Sequence, residues 1–236
     1  MGRSNFQFKQ FNIEQDRCAM KVTTDASLFG AWVASSAETV ESILDIGAGT
    51  GLLSLMLAQA STARVHAVEI EKECFGQLQE NISNSIFSKQ MDAFLQDIKT
   101  FDVGTQYDLI ICNPPFHQDQ LRSGQSNVDL ARHDAGLLLP ELLGICSALT
   151  QERGSVFILL PYYRKKECLN IAAEMGWQAE RSATVRHSIQ HEPFRVMFQF
   201  SKNANGIHEE EIIIHDERGH YTTLFSDLLR PYYLYL

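Results

Sequence analysis

The 236-residue sequence predicts an α/β protein: a mostly parallel, doubly wound sheet with an antiparallel hairpin toward its C-terminal end. Three observations predict it. Between residues 43 and 160, short apolar runs alternate with helix-period segments, the pattern of strands joined by helical crossovers. The first of these runs leads into a glycine-rich turn and then a helical segment, the arrangement by which such sheets open a ligand site near a helix N-terminus. Past residue 177, two alternating runs are separated by a turn at His191-Glu-Pro193 that is too short for a crossover helix.

Taken in order, Phe6, Phe8 and Phe11 alternate with polar residues as in a half-buried strand or hairpin. Leu28 to Ala34 is an apolar helix with Thr24 or Asp25 as its N-cap. Ser42 to Asp45 is a strand, Gly47-Ala-Gly49-Thr-Gly51 the turn, and Leu52 to Ala60 the helix behind it. Arg64 to Ile70 is the next strand, and near its end Glu69 can accept hydrogen bonds from the hydroxyls of a ribose lying over the turn. A polar-faced helix over 71–84 and a weak strand, Met91 to Leu95, follow, with Asp97 just beyond it to serve the same ligand. Residues 117–134 lose all periodicity, as a long lid-like loop would. Then come a helix (Leu137 to Leu149), a buried strand (Ser155 to Leu160) and a helix (Tyr162 to Met175). The hairpin runs, Trp177 to His187 and Phe194 to Phe200, are followed by a short strand at Glu211 to Ile214 and a short helix near Tyr221 to Leu229. An aromatic ending, Tyr232-Tyr-Leu-Tyr-Leu236, is expected to pack.

Composition narrows the classes. With 44% hydrophobic residues and neither repeats nor a linker, residues 1–236 read as one domain, carrying an N-terminal extension (about 1–35) and a C-terminal one (about 203–236). No apolar run approaches the roughly 18 residues of a membrane span. The first residues, with Arg3 and Lys9, lack a signal peptide's apolar core, so a cytoplasmic protein is expected. Five cysteines (Cys18, Cys74, Cys112, Cys146, Cys168) show no Cys-x-x-Cys spacing, and their odd number predicts buried thiols rather than a disulfide framework. No histidine motif points to a metal. The net charge of −9 is uneven: +1 over residues 1–35, −9 over 36–150, +3 over 151–202 and −4 over 203–236. A polyanion therefore has only the first and third segments to dock on, and Arg164, Lys165, Lys166, Arg186 and Arg195 are the candidates there.

The chemistry centres on Asp108 to Phe116. Leu109 to Cys112 is a buried-strand run that stops at Asn113-Pro114-Pro115-Phe116, because two prolines cannot continue a ladder. The Asn113 side-chain oxygen and the Pro114 carbonyl are two acceptors at one strand end, suited to an NH2 group with two protons to donate. Phe116 offers a face on which a planar group carrying that amine can stack. In a doubly wound sheet this motif and the glycine turn share the carboxyl edge.

Asp45-Ile-Gly-Ala-Gly-Thr-Gly51 with Glu69 resembles the S-adenosylmethionine (SAM) turn of class I methyltransferases. Asn113-Pro-Pro-Phe116 resembles the catalytic motif of their amino-methylating branch, and the fold implied is the Rossmann-like one. More closely, Phe8-Lys9-x-Phe11-x-Ile13-x-Gln15-Asp16-x-Cys18-x-Met20-Lys21-Val22-x-Thr24-Asp25, Gly30-Ala31-Trp32 and the Tyr-Leu-Tyr ending resemble the bacterial tRNA-Val (adenine-37) N6-methyltransferase family. The resemblance implies SAM as cofactor and tRNA as partner. It places Gly47, Gly49 and Gly51 at the methionine part, Glu69 at the ribose, Asp97 at the adenine amine, and Thr24 and Asp25 at the methionine end. Many relatives have tyrosine where this chain has Phe116, which leaves that residue stacking alone. The rival with the same motif is a protein glutamine N5-methyltransferase acting on a release factor. A DNA adenine methyltransferase lacks support because no separate target-recognition segment exists. A NAD-dependent dehydrogenase would need G-x-G-x-x-G where this chain has G-x-G-x-G, and a non-catalytic module would not need the intact motif.

Overall fold

The computed structural model describes residues 5–115 and 137–236. Phe116 and the 117–134 segment therefore lie outside the described residues. Strands β1 (Asn5–Gln7) and β2 (Asn12–Glu14) lead to helix α1 (Thr24–Ala34). Then follow β3 (Ser42–Ile46), α2 (Leu52–Ala60), β4 (Arg64–Glu69), α3 (Lys72–Ser83), β5 (Met91–Leu95) and β6 (Tyr107–Cys112). The rest comprises α4 (Leu139–Leu149), β7 (Thr150–Pro161), α5 (Lys165–Glu174), β8 (Gln178–Ser188), β9 (Arg195–Ser201), β10 (His208–His215) and α6 (Thr223–Leu229).

One sheet runs β10-β8-β9-β7-β6-β3-β4-β5, while β1 and β2 pair with each other. The β4–β5, β3–β4, β3–β6 and β6–β7 pairs are parallel, as the strand–helix alternation predicts. Successive residues of the central strands enter opposite cores. Leu109, Ile111, Phe157 and Leu159 pack with residues of α1, α2 and α6 on one face. Ile110, Cys112, Val156 and Ile158 pack with α4 and α5 on the other. Both faces are covered, so these strands are continuous apolar runs rather than alternating ones.

The expected hairpin exists, with β9 antiparallel to both β7 and β8. It is not the edge, however. β10 pairs beyond β8, parallel to it, from His208↔Arg181 to His215↔Ser188. An uncovered β8 would leave a row of backbone donors and acceptors open beside Ala183 and Val185, and the Ile212-Ile-Ile214 run closes that ladder.

Two other expectations are corrected in the N-terminal segment. Thr23, not Thr24 or Asp25, caps α1, its side chain accepting from the Ala26 amide, and Asp25 instead sits in the first turn, where a carboxylate favours the helix dipole. Cys18 and Cys74 form a disulfide across 56 residues of sequence. The pairing escapes a reading of local spacing because it is made by docking. Cys74, Gln77 and Asn81 share one stripe of α3. Gln77 accepts from the Arg17 amide at 2.9 Å, and Asn81 accepts from the Glu14 amide at 2.9 Å while donating to the Glu14 and Thr50 carbonyls. Cys112, Cys146 and Cys168 are buried thiols, as expected. The two chain ends meet where Phe8 bridges Tyr233, and the aromatic ending packs through Tyr232 while Tyr235 stays exposed. Among the described residues no helix is long and apolar enough to cross a membrane.

Candidate active site

The connection after β3 runs to β4 on one side and the connection after β6 to β7 on the other, which opens a crevice between β3 and β6 at the carboxyl edge. Ile46 and Cys112, the last residues of β3 and β6, are register partners. Gly47 and Asn113 follow them directly, so the glycine turn and the Asn-Pro-Pro turn begin one strand spacing, about 4.8 Å, apart.

The turn is held from its neighbours. The Gly47 and Ala48 amides donate to the Val68 carbonyl at 2.9 and 3.0 Å. Gly51 has φ 83° at the N-cap of α2, a conformation that favours glycine, and a Cβ there would also have to move the Leu78 side chain, 2.6 Å away at Cδ1. Gly51 offers α2 no side-chain cap, and Asp45 from beneath takes the Ser54 amide of the first turn.

The acids differ in station. Glu69 is 8% exposed, and its carboxylate accepts from the Gly49 amide at 2.9 Å through Oε2 and from the Ile70 and Glu71 amides through Oε1. It is a clamp on the turn, not a solvated strand-end acid. Asp45 is fully buried. Its Oδ2 accepts from the Ser54 amide and hydroxyl at 3.1 and 2.6 Å, Oδ1 has no partner among the described residues, and burial pushes the carboxyl up to about 7. Asp45 thus braces the start of α2 from beneath and does not line the crevice. Asp97 does line it, with Oδ1 accepting from the Lys99 amide at 2.9 Å.

A cavity of about 310 Å³ lies at this edge, walled by Gly47, Ile70, Asp97, Ile98, Pro114 and Leu137 among others, while Gly49, Gly51, Glu69 and Asn113 are not among its walls. Sequence reasoning found the acids but missed the apolar walls Ile70, Ile98 and Leu137. Two of those directly follow a candidate acid, and Ile70, 64% exposed at a strand end, is the clearest signal in retrospect. Asn113 is half-buried, Pro114 buried and Pro115 exposed. Thr24 and Asp25 are not on this cavity. Asp25 instead pairs with Arg195 at 2.7 Å, both side chains largely buried.

The candidate phosphate-binding cations all lie toward the carboxyl edge, just after β7, near the end of β8 and at the start of the antiparallel β9, but most are engaged. Arg164 is paired with Glu167 through two 2.9 Å bonds, Lys165 with Glu209 at 2.9 Å, and Arg186 with Glu211 at 2.6 Å. Lys166 is exposed on the first turn of α5. Among the described residues no group of three or more His, Cys, Asp or Glu side chains is placed to hold a metal ion.

Residues 28–139 match the family model of the methyltransferase small domain. The tRNA1(Val) (adenine(37)-N6)-methyltransferase of Dyadobacter fermentans is 39% identical over 236 residues, covering 98% of both chains. The protein of that name from Cytophaga hutchinsonii is 36% identical, covering all of both. Among solved structures, a predicted O-methyltransferase, Atu636 of Agrobacterium tumefaciens, superposes with a TM-score of 0.65 at 14% identity over 87% of this chain and 95% of its own. That likeness concerns the fold.

Proposed function

The chain belongs to the tRNA1(Val) (adenine(37)-N6)-methyltransferase family, an enzyme of tRNA adenosine N6-methylation, and from that membership we propose the roles of its site residues. The donor is SAM and the substrate is a cytoplasmic tRNA with its adenosine turned out of the stack.

The crevice fits the donor. Its apolar walls, Ile70, Ile98 and Leu137, suit an adenine ring, and Asp97, with Oδ1 already used by a backbone amide, has Oδ2 for the ring's amine. Glu69 has about four lone-pair sites, of which three are filled, so Oε2 can take one ribose hydroxyl without releasing a backbone amide. The methionine part lies against Gly47 to Gly51 at the start of α2. When bound, SAM supplies a methyl group activated by its sulfonium.

Asn113 and Pro114 act on the other reactant. The N6 lone pair of adenine is delocalised into the ring, which makes it a poor nucleophile. By accepting a hydrogen bond from each N–H, the Asn113 side-chain oxygen and the Pro114 carbonyl hold the nitrogen nearer tetrahedral and aim its lone pair at the methyl, and one of the two protons leaves to solvent once the methyl–sulfur bond has broken. They bind the developing positive nitrogen better than the planar amine, so the hydrogen bonds strengthen toward the transition state. Positioning of the two reactants supplies much of the rest. The observation carrying this reading is the pairing of Ile46 with Cys112, which sets the donor turn beside the acceptor motif.

Glutamine methylation in a release factor would use the same acceptors, but the full-length relatives do not favour it. The test is methyl transfer from labelled SAM to total tRNA, followed by digestion. Label in N6-methyladenosine is expected, whereas label absent from tRNA and found in a release factor would reverse the reading.

A further inference from the structure

Beyond β7 the carboxyl edge carries a row of rings with no part in the site described above. Phe194 precedes β9, His187 lies near the end of β8, His215 ends β10 and Tyr221 follows it. His187 and Phe194 stack face to face, with centroids 4.0 Å apart and planes 6° apart. His215 and Tyr221 stack at 5.0 Å and 28°, and Tyr221 continues onto Phe225 at 4.8 Å. The two stacks are tied by the 3.2 Å contact of His215 Nδ1 with the His187 carbonyl.

These rings are not core. His187 and His191 are exposed, Tyr221 is 43% exposed, and only Phe225 at the inner end is buried. Tyr221 is stacked on both sides, by His215 and Phe225, and Phe194 has His187 on one side and the Arg195 guanidinium 5.6 Å away, so the rings left to take a base are the outer ones, His187 and His215. The row also has a defined position. Counting strands from β6 through β7, β9 and β8 to β10 at about 4.8 Å each, it lies roughly 10 to 20 Å along the edge from Asn113. About three to six stacked nucleotides, at about 3.4 Å each, cover that span.

We infer that this ring row is a stacking platform for the unpaired nucleotides flanking the target adenosine. The inference rests on the proposed function and adds where the RNA lies. Single-stranded RNA is bound largely by stacking of splayed bases on aromatic, His and Arg planes, and this works for any base because each has a π face. An acidic protein whose edge cations are mostly paired to carboxylates needs such a non-ionic contribution.

The experiment compares His187→Ala and His215→Ala with the ring-keeping His187→Phe and His215→Phe. It reads KM for tRNA, kcat, SAM affinity and melting temperature. Each alanine variant should raise KM for tRNA about tenfold, with kcat and SAM affinity within about twofold of wild type. The phenylalanine variants should stay near wild type. Should His215→Ala unfold because Tyr221 loses its cover, His187→Ala, at an exposed position, decides alone. Unchanged KM for tRNA in folded alanine variants, or an equal loss in the phenylalanine ones, overturns the platform and leaves the proposed function standing. A wild-type enzyme that methylates no tRNA overturns both.

Discussion

Glu69 shows how one side chain serves both the fold and the ligand. Its carboxylate ties the Gly49 amide to the end of β4, so Glu69→Ala removes an acceptor for ribose and the tie that shapes the turn. Calorimetry should show SAM binding weakened by about 1–3 kcal/mol, and unchanged affinity would mean that the donor lies elsewhere. Asp45 makes a prediction in pH. Its folded value, about 7, is raised above the ordinary 3.8 by burial. Between those values the folded chain keeps a proton that the unfolded chain has lost. The stability Asp45 confers is therefore full at low pH, falls as pH rises through this window and levels off above it. Asp45→Asn cannot lose a proton. Urea unfolding at pH 5 and at pH 7.5 should show wild type losing stability relative to the variant at the higher pH, and an equal difference at both would contradict a neutral Asp45.

Elements carry the next scale, where α3 organises the N-terminal segment. Asn81, 2% exposed, bonds both backbone groups of Glu14 and the Thr50 carbonyl next to Gly51. Asn81→Ala leaves those groups unsatisfied and should cost about 1–3 kcal/mol in denaturant unfolding. A loss well below that would show the segment to be held by the Cys18–Cys74 link and its other contacts. This clamp was invisible in the sequence, since Asn81 and Gln77 read as the polar face of a helix and Cys18 and Cys74 as unrelated thiols. The strands from Ile43 to Leu160 were legible because burial on both faces leaves continuous apolar runs bounded by glycine and proline. The edge was not. Ile212 to Ile214 shows a strand, but nothing local tells which neighbour it pairs with or in what direction. Glu69 and Asn113 were legible for the same local reason, being fixed at strand ends by the turns that follow. The link of Asp25 to Arg195 joins residues 170 positions apart and has no local signature.

The whole molecule is acidic, at −9, yet must hold a polyanion. Of Arg164, Lys165 and Lys166, the first two face carboxylates within 3 Å. Neutralising all three should therefore reduce the slope of log tRNA affinity against log salt by only about 0.7 to 0.9, the value of one phosphate contact. A threefold larger reduction, measured by filter binding across a salt series, would show that the ion pairs open on RNA. What the sheet achieves as a whole is to bring the donor turn after β3 and the acceptor motif after β6 to one edge, and Asn113→Ala separates them chemically while leaving the fold in place. Single-turnover methylation with saturating SAM and tRNA, alongside SAM titration, is the most direct measurement. SAM affinity within about twofold of wild type is expected, with a rate lowered at least about a hundredfold, the scale of losing one transition-state hydrogen-bond partner. A variant that binds SAM normally and methylates tRNA at the wild-type rate would contradict it.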